Sequence, residues 1–146
     1  MKTFLKLLLI GIFLIPTFSK AQNKSENKAK EGEFVYVIVN YVKNEAKAEY
    51  EKFMNDVFMK TLMTSTKKVT QQAYSTTRWL IPASQNEDKS WSFIFIMDPV
   101  VDDANYSIEN LFQEKYSATE ANELLKKYES FMAKPMLFNN MIQSKY

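Results

Sequence analysis

The sequence predicts an α+β domain in which four strands and two helical regions follow one another in the order β-α-β-β-α-β. Two stretches, residues 33–42 and 91–98, are rich in β-branched and aromatic side chains, as strands are. Two longer stretches repeat apolar residues at helical spacing. Polar clusters and Pro residues separate these segments, and the chain is long enough to build one packed core.

The first 21 residues have the three parts of a secretory signal peptide. They start with the basic MKTFLK, continue with an apolar run from Leu7 to Phe18, and end with the small residues Ser19 and Ala21 at the cleavage positions. A membrane-spanning helix would need about 20 apolar residues. We therefore expect a signal at residues 1–21, a secreted or periplasmic protein, and no membrane anchor after cleavage.

Removal of the signal changes the net charge. The whole sequence has 19 basic and 17 acidic residues, a net charge of +2. Lys2, Lys6 and Lys20 leave with the signal, so the mature chain has 16 basic and 17 acidic residues, a net charge of −1. This balance does not indicate a nucleic-acid partner. The polar residues 22–32 predict a flexible leader, and residues 33–146 predict a single domain.

The first predicted strand, residues 33–42, is apolar on both faces. Asn44 is then expected to cap a helix, because its side chain can accept a hydrogen bond from a free N–H group at a helix start. The helix itself is predicted from a stripe of apolar residues: Ala46, Tyr50, Phe53, Met54, Val57, Phe58 and Leu62. The polar residues 64–70 are expected to form a connection.

The second strand is predicted at residues 72–81, QAYSTTRWLI, and is more polar than the first. Pro82 and a polar loop separate it from the third strand, WSFIFIMD, which ends at Asp98 before a Pro.

A second helical region is predicted to start near Ser107 and to restart at Ser117. Its apolar residues at helical spacing are Ile108, Leu111, Phe112 and Tyr116 in the first part, and Ala121, Leu124, Leu125, Tyr128, Phe131 and Met132 in the second. Glu120, three residues after Ser117, completes the pattern of a capping box. Pro135 stops this region, and residues 136–143 predict a short last strand.

This order is the ferredoxin-like arrangement, with the first and third strands at the centre of the sheet and the second and fourth at its edges. We expect the central strands to be parallel neighbours, because both are apolar on both faces. Right-handed crossovers would place both helical regions on one face of the sheet. The other apolar face is then uncovered, and we expect a second copy of the chain to cover it in a homodimer.

A ferredoxin-like domain that pairs sheet against sheet resembles the dimeric α+β barrel superfamily, which includes antibiotic-biosynthesis-monooxygenase-like proteins. The resemblance covers Glu33 to about Ile142 and is carried by the element order and by the strands FVYVIVNY and WSFIFIMD. It implies a dimer and a cavity, between helices and sheet, for a small apolar or aromatic molecule. Members include cofactor-free oxygenases, haem-degrading enzymes and proteins without demonstrated catalysis.

Missing residue types limit the chemistry. The sequence has no His and no Cys, which excludes Ser-His-Asp and Cys-His nucleophile systems, imidazole metal sites and a haem held by a proximal His. After signal removal Gly32 is the only Gly, so a Gly-rich phosphate loop is excluded. Asp98, Asp102 and Asp103 lack calcium-loop spacing and favour a plain connection over a cation site. No cofactor and no metal is predicted.

Five residues are candidates for lining a ligand cavity: Tyr36, Asn40, Tyr74, Arg78 and Trp91. Tyr36 and Asn40 place polar groups on an apolar strand face, where they either line a cavity or satisfy each other. Arg78 lies on the predicted strand face of Tyr74. It either binds a carboxylate or phosphate group of a ligand, or it is an exposed residue of an edge strand. Trp91 either stacks on a flat ligand or packs in the core or a dimer interface. Catalytic residues stay unassigned.

Two function classes remain open. One is an exported binding or structural dimer without chemistry of its own, and the other is a cofactor-independent oxygenase or isomerase. The absence of His and Cys, the usual acid-base and nucleophilic residues, favours the first. A closed pocket between helices and sheet, with Tyr36, Asn40 and Arg78 converging on it, would indicate binding or catalysis, whereas a solid core would indicate an interaction protein.

Overall fold

The computed structural model describes residues 28–145, so the predicted signal peptide lies outside the described residues. The strands are β1 (Phe34–Val42), β2 (Thr77–Leu80), β3 (Trp91–Met97) and β4 (Leu137–Ile142). The helices are α1 (Lys47–Phe53), α2 (Lys60–Met63), α3 (Lys68–Thr76), α4 (Ile108–Gln113) and α5 (Ala118–Ser130). A 3-10 turn (Asn44–Ala46) precedes α1, and a π-helical segment (Met54–Met59) joins α1 to α2.

The four strands form one sheet in the order β2-β3-β1-β4, and every neighbouring pair is antiparallel. This is the ferredoxin-like arrangement of an α+β fold, with the central and edge positions as predicted. The prediction that β1 and β3 run parallel is wrong. Because β3 follows β2 as its antiparallel neighbour, it also opposes β1, which runs in the same direction as β2.

The register between β1 and β3 decides which face of the sheet meets the helices. Side chains alternate between faces along a strand, and directly paired residues share a face. Ile38 pairs with Phe95, and Val39 pairs with Ile94. The ring centroid of Phe95 lies 5.8 Å from that of Phe58 in the helical layer. Ile38 and Phe95 therefore face the helices, whereas Val39 and Ile94 face away.

The hydrophobic core fills the space between the helices and this face of the sheet. On the two layers, the rings of Tyr50 in α1 and Phe93 in β3 have centroids 4.7 Å apart. The buried core residues are Val42, Tyr50, Phe53, Met54, Phe93, Phe95, Met97, Phe112, Ala121 and Phe131. Most of them belong to the predicted apolar stripes and central strands.

The opposite side of the sheet, here called the open face, carries apolar side chains that are not fully buried. These are Val35, Val37, Val39, Tyr41, Leu80, Ile94, Ile96, Leu137 and Met141. At the two edges, Leu80 is 43% exposed, Leu137 45% and Met141 52%. Such a continuous apolar surface is unusual for a soluble monomer.

The start of the predicted second strand is helical instead. β2 contains only Thr77–Leu80, and α3 begins at Lys68, inside the predicted connection of residues 64–70. The buried residues of α3 are three apart, as one face of a helix requires: Thr70, Ala73 and Thr76. Two of these three positions hold Thr, a residue type enriched in strands, and this composition favours the prediction of a strand over that of a helix.

Of the predicted helix starts, the capping box is confirmed. The Ser117 hydroxyl accepts a hydrogen bond from the Glu120 backbone N–H, and the Glu120 carboxylate accepts one from the Ser117 N–H at 3.0 Å. The prediction that Asn44 caps a helix is wrong, because Asn44 is the first residue of the 3-10 turn and Lys43 takes the capping position. Asn44 Oδ1 instead accepts from Trp91 Nε1 at 3.1 Å and from Gln85 Nε2 at 2.7 Å.

The described end of the predicted leader, residues 28–32, is hydrogen-bonded to the domain. The Ala29 N–H donates to Asp98 Oδ1 at 2.7 Å, and the Gly32 N–H donates to the Gln143 carbonyl at 2.9 Å. Gly32 has φ +86°, a conformation that favours glycine. Among residues 28–145, no helix has the length and apolar character needed to cross a membrane.

Candidate functional site

A cavity of about 290 Å³ lies between the helical layer and the helix-facing side of the sheet. This volume is close to the lower end of the range for small-molecule sites, which starts at about 300 Å³. The cavity is lined by Ile38, Asn40, Met54, Phe58, Phe95, Met97, Tyr106, Ser107, Ile108, Glu109, Leu125, Tyr128, Glu129 and Met136. Aliphatic, aromatic and Met side chains dominate this wall, so it suits an apolar ligand body.

Asn40 is the most buried polar residue of the cavity wall, with 2% of its surface exposed. Its Nδ2 donates a 2.9 Å hydrogen bond to the hydroxyl of Tyr50. Its Oδ1 is buried and has no hydrogen-bond partner among the described residues. A buried acceptor without a partner costs about 1–3 kcal/mol of desolvation free energy, so a partner from outside the chain would be favourable.

Tyr106 and Tyr128 line the cavity, Tyr50 is bonded to the wall residue Asn40, and burial raises the pKa of all three tyrosines. Burial raises the pKa of Tyr128 from 10.0 to about 12, with the Asn40 side chain opposing the rise. Burial, together with nearby Tyr128, raises the pKa of Tyr50 well above its usual value. Burial also raises the pKa of Tyr106, whose hydroxyl accepts a 2.9 Å hydrogen bond from the Val101 N–H. These hydroxyls therefore stay protonated at neutral pH.

The solvent end of the cavity is acidic. Glu109, Glu129 and Met136 are the exposed members of its wall. Glu109 lies in the first turn of α4, and Glu129 lies in the last turn of α5. Among the described residues that line the cavity, none is Lys or Arg. The electrostatic potential at this opening is therefore expected to be negative.

The π-helical segment Met54–Met59 forms part of the wall. Met54 and Phe58, at opposite ends of one turn, both line the cavity. π-helical turns are rare and occur frequently at functional sites. Because residues four apart lie on the same side of a helical segment, a flexible Met and an aromatic ring face the cavity together.

Of the five predicted site residues, Asn40 lines the cavity and Tyr36 lies next to it. The Tyr36 ring contacts the rings of Tyr106 and Phe138, with centroids 5.6 Å and 5.0 Å away. Tyr36 and Asn40 do not satisfy each other, because the Asn40 amide bonds Tyr50.

The other three residues lie away from the cavity wall. Trp91 packs against the far end of the core, where Lys47 Nζ lies 4.8 Å from its ring centroid. Tyr74 lies on α3 and not on a strand, so it does not share a strand face with Arg78. Arg78 pairs with Ile96 on the open face, and its Nη2 donates to Asp98 Oδ2 at 2.9 Å.

Asp98 is held by two partners, because its other carboxylate oxygen accepts from the Ala29 N–H. Among residues 28–145, no three His, Cys, Asp or Glu side chains are grouped in a way that could hold a metal ion. The carboxylate of Asp98 therefore serves to join β2 and the N-terminal segment to the end of β3.

Sequence reasoning missed Tyr50, Tyr128, Glu109 and Glu129 as site residues. Tyr50 and Tyr128 were placed in the apolar stripes of two helices, which is where they lie. Their hydroxyl groups, in stripes of otherwise apolar residues, were the available signal, because buried polar groups need partners. The two glutamates had no such signal, since exposed Glu is ordinary on helices.

Comparison with known proteins found no matching family model and no curated protein with a significant match. Two solved structures are similar in fold. One, named as an antibiotic biosynthesis monooxygenase, is from Caulobacter crescentus, with a TM-score of 0.42, 10% identity, and coverage of 79% of this chain and 92% of that chain. The other, a dimeric ferredoxin-like protein from an uncultured marine organism, has a TM-score of 0.48, 11% identity, and coverage of 80% and 91%. Neither likeness says what this chain binds or does.

Proposed function

We propose that this protein is an exported homodimer that binds a small apolar or aromatic molecule in the cavity between its helices and its sheet. The observation that carries the proposal is the unpartnered Oδ1 of Asn40 in the wall of a mostly apolar cavity. The apolar wall favours burial of a hydrocarbon or ring by the hydrophobic effect. The free acceptor favours a ligand that also carries an N–H or O–H group.

The polar groups of the cavity support binding more than catalysis. A general base works best with a pKa near the operating pH. The hydroxyl of Tyr128, with its pKa raised to about 12, is protonated at neutral pH and suits hydrogen-bond donation. Burial also raises the pKa of Tyr50. This favours a binding protein over the alternative, a cofactor-independent oxygenase or isomerase.

Self-association is supported by the open face. Val37 and Ile96 are direct neighbours at the middle of that face, and both are only partly buried. A stable dimer buries about 800 Å² on each partner, an area that one face of a four-stranded sheet can supply. Because the cavity lies on the other side of the sheet, a second copy would leave it open to ligands.

Native mass spectrometry of the protein purified from its own host tests both the ligand and the dimer of this proposal. We expect the mass of a dimer carrying one small molecule for each chain. Leu125→Phe, which adds a ring to the cavity wall, should remove the extra mass and keep the dimer. Leu137→Phe makes the same change on the open face, and it should keep the extra mass.

If the wild-type dimer had the mass of bare chains, and a panel of small aromatic compounds caused no heat of binding, the ligand proposal would be wrong. Retention of the extra mass by Leu125→Phe would place the ligand elsewhere. A monomeric wild-type protein would overturn the dimer proposal alone.

A further inference from the structure

We propose that the ligand of this cavity carries a positively charged amine at the end that reaches solvent. The inference rests on the proposed binding function and names the chemical class of its ligand. It follows from the sign of the charges at the cavity opening and from the character of the polar atoms in its wall.

The two charged side chains of the cavity wall, Glu109 and Glu129, have the same sign. Neither takes part in the ion pairs of the described residues, which use Glu49, Glu51, Asp88, Asp98 and Glu114 instead. Glu109 accepts a 3.1 Å hydrogen bond from the neutral Gln113. The negative charge at the opening is therefore not neutralised by a protein cation within the described residues.

The buried end of the same cavity provides a second, independent observation. Asn40, with 2% of its surface exposed, presents an acceptor without a partner among the described residues. Carboxylates are likewise acceptors when ionised. Hydrogen-bond donors are therefore favoured at both ends of the cavity: at the buried end by Asn40 Oδ1, which has no partner among the described residues, and at the opening by two carboxylates without an ion pair there.

An amine with an apolar body matches this arrangement. An ammonium group has three N–H donors and no acceptor, and its charge is opposite to that of Glu109 and Glu129. A ligand carboxylate would bring an acceptor and a like charge to the same opening. A neutral alcohol of the same size should bind with an affinity between the two.

The test compares three compounds with one skeleton, 2-phenylethylamine, 2-phenylethanol and phenylacetate, by isothermal titration of the mature protein at neutral pH and low salt. We expect the amine to bind up to about five-fold more tightly than the alcohol, as for exposed ion pairs, and phenylacetate to bind most weakly. Raising the ionic strength should reduce these differences.

Substitutions of Glu109 and Glu129 then test whether these residues cause the preference for the amine. Glu109→Gln with Glu129→Gln should bring the affinities of the amine and the alcohol together and leave that of the alcohol nearly unchanged. Glu123→Gln is the matched control, because Glu123 is an exposed residue of α5 that does not line the cavity.

The outcomes separate the two proposals. Equal affinity of the wild-type protein for amine and alcohol, or tighter binding of phenylacetate, overturns the amine inference and leaves the binding function intact. A preference that survives in the double variant also overturns it. If none of the three compounds binds, the amine inference fails, and the proposed function fails with it only when native mass spectrometry also shows bare chains.

Discussion

The side-chain amide of Asn40 on β1 and the hydroxyl of Tyr50 on α1 are joined by a 2.9 Å hydrogen bond between two residues that are almost completely buried. This bond crosses from the sheet to the helical layer at the wall of the cavity. It satisfies one end of the amide and leaves the other end without a partner among residues 28–145.

We expect Asn40→Ala and Tyr50→Phe to be coupled. Each change removes one partner of a buried hydrogen bond, and each should lower the free energy of unfolding by about 1–3 kcal/mol. In the double variant no partner is left unsatisfied, so its loss should be smaller than the sum of the single losses by about 0.5–1.5 kcal/mol. Urea unfolding at one fixed protein concentration measures this difference. If the losses of the two single variants simply added up in the double variant, the hydrogen bond between Asn40 and Tyr50 would not contribute to stability.

Lysine substitutions on β3 should separate folding from association. Phe95 is 4% exposed and faces the helices, so Phe95→Lys buries an unpaired charge and should abolish the fold. Ile94 is on the open face, so Ile94→Lys should keep the fold and dissociate the proposed dimer. Circular dichroism measures folding, and sedimentation equilibrium measures association. A folded, dimeric Ile94→Lys protein would show that association uses another surface.

Stability should decrease at high pH. Burial raises the pKa of Tyr128 from 10.0 to about 12, so between these values the unfolded chain loses a proton that the folded chain keeps. The contribution of Tyr128, about 2–3 kcal/mol, is therefore complete below pH 10 and is lost as the pH rises toward 12. Burial raises the pKa of Tyr50 as well, so this residue should also make the free energy of unfolding decrease at high pH.

Unfolding curves between pH 8 and 11 check this prediction, with tyrosinate absorbance as the direct titration. Tyr128→Phe should reduce the slope of stability against pH above pH 10. An unchanged slope would mean that Tyr128 ionises as freely in the folded protein as in the unfolded chain.

The capping box at the start of α5 should contribute to stability. Ser117→Ala removes the acceptor for the Glu120 N–H and should lower the free energy of unfolding by about 1 kcal/mol. Ser117→Asp retains a capping oxygen and should recover most of that loss. Thermal unfolding of the three proteins provides the measurement, and equal midpoints for all three would argue against the role of the cap.

The mature chain is expected to start near Gln22, after the predicted signal. Its intact mass, measured on protein collected outside the cytoplasm of the native host, should lack residues 1–21. A secreted or periplasmic form with Met1 still present would show that the segment is not cleaved, and the export proposal would lose its basis if the protein stayed in the cytoplasm.

The sequence by itself determined the order of the main elements, both central strands, the core stripes and the capping box of Ser117 and Glu120. These features depend on residues within a few positions of each other, so a local period or spacing is enough to identify them. The exception was α3, where Thr residues, which are common in strands, favoured the prediction of a strand although they lie at helical spacing.

Only the tertiary structure decided the rest. Both faces of β1 and β3 are apolar, so no local pattern says which face meets the helices; the register that pairs Ile38 with Phe95 does. The antiparallel direction of the central strands is likewise fixed by the pairing of β3 between β2 and β1. The cavity unites β1, the π-helical segment, α4 and α5, while Arg78 turns to the open face. Such long-range contacts are set by how complete elements pack against each other, which the spacing of residues along one segment does not encode.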